Sequence, residues 1–326
     1  MRRAASTLLL ALGIFALVLG GLLRFYVYNT LGVAPLDPDS KTVSRGTQMT
    51  VFYPGKLKSR TDATVTATRI VRGSLTAPEA KVDGDVAVWR VGLVLEDDEG
   101  TLVSATEERV CVDRRTAASV ENCSEQSIND DTSVKHIGLA YKFPFNTEKK
   151  DYQLWDYNLK ASSPAKFDGE DLVNGLPVYR FVQAIAATKI ADVDVPGDLV
   201  NGQSGTTVRA GRFYQNVRTV WVEPYSGTIV KGQEEVKQVL RGPDGRDGTV
   251  LLSGTIAFTQ DTVQKQVADA KEARDKLRLI HTTGPLVLLI VGVILSAIGV
   301  LLMSTGRRAT GDVQRHRRQP VAAAQG

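Results

Sequence analysis

Histidine is scarce in this chain, with three among 326 residues, at positions 136, 281 and 316. A His-based triad or a multi-histidine metal centre therefore has almost no material. There are two cysteines, Cys111 and Cys123, and neither a second pair nor a histidine stands at ligand spacing beside them, which excludes a zinc site. No Walker loop, nucleophile elbow, zincin helix or dinucleotide fingerprint occurs. The carboxylate pairs Asp97/Asp98 and Asp130/Asp131 lack a partner in the sequence and read as solvated turns. The expectation is a protein that is not an enzyme and holds no cofactor or metal.

Charge is missing from two long segments, Ala4 to Leu23 and Thr282 to Gly306. Each is long enough to cross roughly 30 Å of hydrocarbon as a helix. Arg2 and Arg3 precede the first, and Arg307, Arg308, Arg315, Arg317 and Arg318 follow the second. By the positive-inside rule both termini lie in the cytoplasm and the region between lies outside. A cleaved signal peptide is the other reading of the first segment. The length of the run, Arg24 directly after it and the aromatic belt Phe25, Tyr26 and Tyr28 argue for an uncleaved anchor instead. Neither span carries an ionisable residue, so these helices supply no proton relay or charged pore wall. Gly13 and Gly20, like Gly292 and Gly299, repeat on one helix face and allow close pairing of the spans.

This divides the chain into a cytoplasmic N-terminus 1–3, a span 4–23, an extracytoplasmic domain 24–260, a juxtamembrane helix 261–281, a span 282–306 and a basic tail 307–326, the last part of it disordered. The net charge is +4, and the two tails hold +2 and +4, which leaves −2 between Arg24 and His281. Such a domain has no electrostatic footprint for nucleic acid. The basic tails orient the protein and can touch anionic membrane lipid. Outside the cytoplasm Cys111 and Cys123 are expected to form a disulfide, worth about 3 kcal/mol by chain entropy.

Runs rich in Thr, Val and aromatics predict strands at 47–53, 63–71, 85–95 and 102–112, the last two as an antiparallel hairpin. Asp83-Gly84 and the acidic turn from Glu96 divide these runs. Further strands are predicted at 176–187, 206–222, 227–234 and 250–259, separated by Asn174-Gly175, Tyr225-Ser226-Gly227 and the segment Gly242 to Gly248. That last segment, like Asp192, Asp194 and Asp198, offers oxygen ligands but lacks the spacing of a calcium loop, and reads as a turn. Asp261 to His281 has neither Gly nor Pro and carries a stripe of Val263, Val267, Ala270, Leu277 and Ile280, which predicts a helix running toward the second span. Gly284-Pro285 marks a hinge there or the top of the membrane helix. The fold class is mainly β (α+β), an extracytoplasmic domain between two terminal transmembrane helices.

In a chain with 6% aromatic residues, Tyr141, Phe143, Phe145, Tyr152, Trp155 and Tyr157 crowd into 17 positions with three lysines between them. They fit either the wall of a hydrophobic ligand site or a structural cluster under a Pro-bent loop.

The same stretch, Tyr141-Lys-Phe-Pro-Phe with a downstream Thr, paired lysines and Trp-Asp, resembles the actinobacterial porin PorA family, long catalogued as a domain of unknown function. Val173-Asn174-Gly175-Leu176, Phe181-Val182-Gln183 and Trp221-Val222-Glu223-Pro224 are similar too, and the resemblance spans nearly the whole chain. It implies a porin label and no catalytic residues. An outer-membrane barrel needs repeated lipid-facing strands, whereas two uncharged spans in one copy enclose no polar channel, so a channel requires a homo-oligomer. In layout alone the chain also resembles the class B scavenger receptors, in which a lipid-handling β-rich ectodomain lies between two terminal membrane helices. The leading expectation is a membrane-anchored envelope protein that binds or transfers a hydrophobic ligand such as an envelope lipid. The alternatives are an oligomeric porin subunit, or a scaffold that holds another envelope protein.

Overall fold

The computed structural model describes residues 2–78, 80, 84–202 and 204–315. The turn residue Asp83 and the tail 316–326 lie outside the described residues. Two compact units form: one joins the chain up to Gly32 with the part from Asp275 onward, and the other runs Val33–Arg274.

The first unit holds α1 (Arg2–Leu22), a wide π turn (Leu23–Val27), α2 (Tyr28–Leu31), a second π turn (Leu279–Thr283) and α4 (Gly284–Arg315). Both long helices have the length and apolar composition to cross a membrane. They pack antiparallel, since Gly13 meets Gly292 and Ser296 while Gly20 meets Pro285 and Leu288. A Cβ on Gly13 would lie 2.8 Å from the Gly292 carbonyl oxygen, and one on Gly299 would lie 2.9 Å from the Leu10 nitrogen. All four glycines foreseen as a packing face are in the contact. The backbones approach as closely as the missing side chains allow, which is how helices pair where lipid removes the hydrophobic drive. Leu8, Leu12, Phe15 and Val18 of α1, and Leu286, Leu289 and Val293 of α4, stay exposed on the outer faces.

Pro285 does not break the helix. It lacks the N–H that would bond the carbonyl four residues back. That carbonyl, His281 O, instead accepts a hydrogen bond from Arg24 Nη1 at 3.2 Å.

The second unit is an 11-stranded antiparallel sheet curved into a half-barrel. Its strands are β1 (Asp39–Tyr53), β2 (Lys58–Gly73), β3 (Val86–Asp97), β4 (Leu102–Asp113), β5 (Ser127–Ile128), β6 (Tyr152–Asp156), β7 (Ala161–Val173), β8 (Leu176–Pro196), β9 (Thr207–Glu223), β10 (Thr228–Arg241) and β11 (Asp247–Phe258). The spatial order is β5-β4-β3-β2-β1-β11-β10-β9-β8-β7-β6. Sequence neighbours pair except β5 and β6, which form the two edges, and among the described strands the one long-range join is β1 with β11, where Ser44 faces Phe258 and Val51 faces Leu252. Both ends of this unit therefore leave from the middle of the sheet. The expected hairpin of β3 and β4 is present, with Val86 opposite Asp113.

Alternation makes the sheet two-faced. Trp89, Val91, Leu93 and Leu95 of β3 are buried on one face, while Arg90, Val94 and Glu96 are exposed. Helix α3 (Gln260–Arg278) lies against the sheet. Its Val263, Val267 and Ala270 pack with Val173, Leu176, Val178, Trp221 and Val230.

Strand β4 and the edge strand β6 are linked through three single-residue bridges. Val112 bridges Ser119, Ala118 bridges Leu139, and Leu139 bridges Leu154 of β6. The disulfide between Cys111 and Cys123 closes the loop that carries Ser119. The Val120 N–H donates to the Cys111 carbonyl at 2.8 Å. The disulfide thus staples the seam of the half-barrel.

Candidate ligand groove and the seam beside it

The concave face encloses a cavity of about 470 Å³. Its walls come from β1, β2 and β3 on one side and from β9, β10 and β11 on the other, with Gln266, Asp269 and Ala273 of α3 and the segments around 141 and 157 completing it. The apolar lining includes Val71, Trp89, Leu93, Leu95, Val236, Leu252, Ile256 and Phe258. This size falls within the range of small-molecule sites, roughly 300–1,000 Å³.

Charged side chains stand among these apolar ones. Arg218 is held by Asp156 at 2.9 Å and by Glu234 at 3.1 Å, and it also donates to the Gln183 side chain at 2.9 Å and the Trp155 carbonyl at 3.2 Å. Asp156 is fully buried and also accepts from the Tyr214 hydroxyl at 2.9 Å and from the backbone N–H groups of Asn158 and Leu159. Burial works against the Glu234 carboxylate, but Arg218 and then Arg69 more than offset it, so its pKa is below the ordinary value. Burial first, and then Glu234, push the Tyr157 hydroxyl up to about 12.

The six aromatic residues of the 141–157 stretch do not stay together. Tyr141, Trp155 and Tyr157 line the cavity. Phe143 is fully buried in a separate core with Leu139, Leu154, Phe181 and Val222, and Tyr152 packs against it. The Phe143 ring centroid lies 4.8 Å from Phe181 and 5.3 Å from Tyr152. Phe145 lies under the Lys142 ammonium at 3.8 Å. Trp155 has two tasks, since its indole N–H donates to Glu108 at 3.0 Å and its ring centroid is 4.5 Å from that of His136. His136, fully buried, presents its Nε2 to the same Glu108 oxygen at 3.3 Å.

The stretch is shaped by a neighbouring turn. Phe143 N–H donates to the Gly227 carbonyl at 2.9 Å, Asn146 N–H to Tyr225 at 3.2 Å and Thr147 N–H to Pro224 at 2.7 Å. Glu223 fixes that turn by accepting from the Tyr225 and Ser226 N–H groups at 3.1 and 2.7 Å. Gly227 has φ +69°, and a Cβ there would collide with the Phe143 carbonyl, so only glycine fits. The motifs Tyr141-Lys-Phe-Pro-Phe, Phe181-Val-Gln and Trp221-Val-Glu-Pro therefore meet at one place, between the seam and the cavity. Val173-Asn174-Gly175-Leu176 is the β7–β8 turn, with both central residues at positive φ as such hairpins require.

Sequence reasoning missed Arg69, Arg218 and Glu234. A signal was present, because Arg69 continues the inward series Ala63, Val65, Ala67 and Val71 along β2, and Arg218 stands in phase with Val220 and Val222. A charge in phase with an apolar alternation points inward.

Comparison with known proteins points to the same family as the motifs. The family model described as "Porin PorA" matches residues 5–301. A "Porin PorA" of Corynebacterium amycolatum is 26% identical over 93% of this chain and 99% of its own length. A second, from Corynebacterium resistens, is 22% identical over 72% of this chain and 76% of its own. A solved Bacteroides fragilis protein with a YmcC-like fold covers 69% of this chain and 96% of its own at 8% identity and a TM-score of 0.21, too low to bear on the fold. With its half-barrel, its motifs and most of both long helices inside the matched region, the chain belongs to the PorA family.

Proposed function

We propose that the protein is a non-enzymatic, membrane-anchored subunit of an oligomeric porin in a cell envelope. The observation that carries this reading is the family match from residue 5 to residue 301, which takes in the sheet and most of both long helices. The α1 and α4 pair is drawn together by glycines and its apolar segments, 4–23 and 282–306, have no ionisable side chain, so one copy surrounds no polar path. Several copies are required, and the exposed apolar flanks of the two helices are where further copies or lipid would lie. The termini are placed in the cytoplasm by their arginines, and the sheet outside, which also suits an oxidised Cys111–Cys123 pair. Proteoliposomes made with the native oligomer are expected to release an entrapped small polar dye. Retention of the dye by vesicles with verified oligomer would oppose the reading.

A second reading, a hydrophobic ligand held by the domain, is favoured by one specific observation, the apolar-walled cavity of about 470 Å³. Tyr141, Trp155 and Tyr157 belong to it. Phe143 and Tyr152 support it from the core behind. Mass spectrometry of full-length protein from its natural envelope is expected to find one retained lipid at near-stoichiometric amount. An empty cavity would set this reading aside. Leu252→Trp, which fills the cavity from its apolar wall, is a better probe than Trp155→Ala, because Trp155 also anchors Glu108.

A further inference from the structure

We infer that the groove takes an amphiphile with an oxyanion headgroup, a carboxylate or a phosphate, which Arg69 receives while the alkyl chain lies along Leu93, Leu252 and Ile256. This rests on the hydrophobic-ligand reading and names the ligand class for that cavity. The argument begins with the contrast between two arginines in one cavity wall. Arg218 is saturated, with two carboxylates, a side-chain amide and a carbonyl around it. Arg69 lines the same cavity, yet among the described residues nothing accepts a hydrogen bond from its guanidinium. Its guanidinium carbon lies 5.7 Å from the centre of the Tyr141 ring, a cation–π contact rather than a hydrogen bond.

Glu234 attracts Arg69 from across the cavity. Its oxygens, however, are taken by Arg218 and by Asn216 at 2.8 Å. Arg69 pairs along the sheet with Thr42 and Leu93, so a hydroxyl and an apolar side chain flank it on the cavity wall. A guanidinium presents five donors in a fork that matches a carboxylate or phosphate. In an apolar wall, such a cation gains most from a ligand that brings both the acceptor oxygens and a chain to cover its surroundings.

The test uses full-length protein held in a detergent-free polymer belt and reads the quenching of the cavity tryptophans Trp89 and Trp155. The probes are 12-bromododecanoate, 12-bromododecyl phosphate and the neutral 12-bromododecanol. Both anions are expected to bind at least about tenfold tighter than the alcohol, as a charge-assisted contact implies. Arg69→Met should bring the anions down to the affinity of the alcohol and leave the alcohol unchanged, while Arg69→Lys should keep part of the preference. The better of the two anions identifies the headgroup. Equal binding of all three probes by the natural protein, or an anion preference that survives Arg69→Met, would overturn the role of Arg69 and leave the hydrophobic-ligand reading intact. Absence of quenching by every probe would overturn both.

Discussion

Single residues in this protein act through the face they occupy more than through their type. Phe143 and Trp155 belong to the same aromatic stretch, but one is a core residue behind the seam and the other lines the cavity. The sequence showed the concentration of rings, whereas their separation depends on the dock of residues 143–147 onto the 224–227 turn, a contact with no local signature. Arg69 was legible in principle, as a charge in phase with an apolar alternation. Tyr157 gives a prediction at this scale. Its pKa is raised from 10.0 to about 12, so between these values the unfolded chain loses the proton first. Its contribution is complete below pH 10, and stability falls as pH rises toward 12. Tyr157→Phe is expected to flatten that fall in denaturant titrations; an unchanged pH slope would show that the hydroxyl is not held neutral by the cavity.

At the scale of elements, local chemistry fixed most of the pattern. β1 to β4 and β8 to β11 carry Thr and Val at alternating positions and were readable, although the structure extends several of them. β7 escaped because Pro164, Asp168, Gly169, Glu170 and Asp171 give it a turn-like composition, and β5 has only two residues. The glycine faces of the two long helices were legible because small residues at heptad spacing have a direct geometric meaning. Gly20→Cys with Leu288→Cys would place two Cβ atoms about 3.3 Å apart, near the span of a disulfide. The pair is expected to crosslink in membranes. Adding Gly13→Leu should reduce the crosslink to background, while Gly21→Leu, which meets nothing within 4 Å, should not. Equal yields would mean that the helices do not pair through Gly13. The seam offers a second test. Reduction of Cys111–Cys123 should cost about 3 kcal/mol. Faster hydrogen exchange should appear first at Ser119, Val120 and Leu139, and uniform acceleration across the sheet would separate the disulfide from the seam.

The whole molecule is organised by one long-range pairing, β1 with β11, which turns two meanders into one sheet. No local pattern announces that pairing, because strand partners far apart in sequence are selected by the global fit of faces and register. The two apolar ends, by contrast, follow from composition and length alone, and so does the expectation of a β-rich region between them. On the porin reading proposed above, function at this scale depends on copy number. One α1 and α4 pair is closely packed through its glycines, so that reading calls for an assembly that adds a path between copies. The most direct measurement is single-channel recording in planar bilayers, comparing full-length protein as the native oligomer with protein dissociated to single copies. The account predicts discrete conductance steps from the oligomer and silence from the single copies. Silent bilayers containing verified oligomer, or equal conductance from isolated copies, would contradict it.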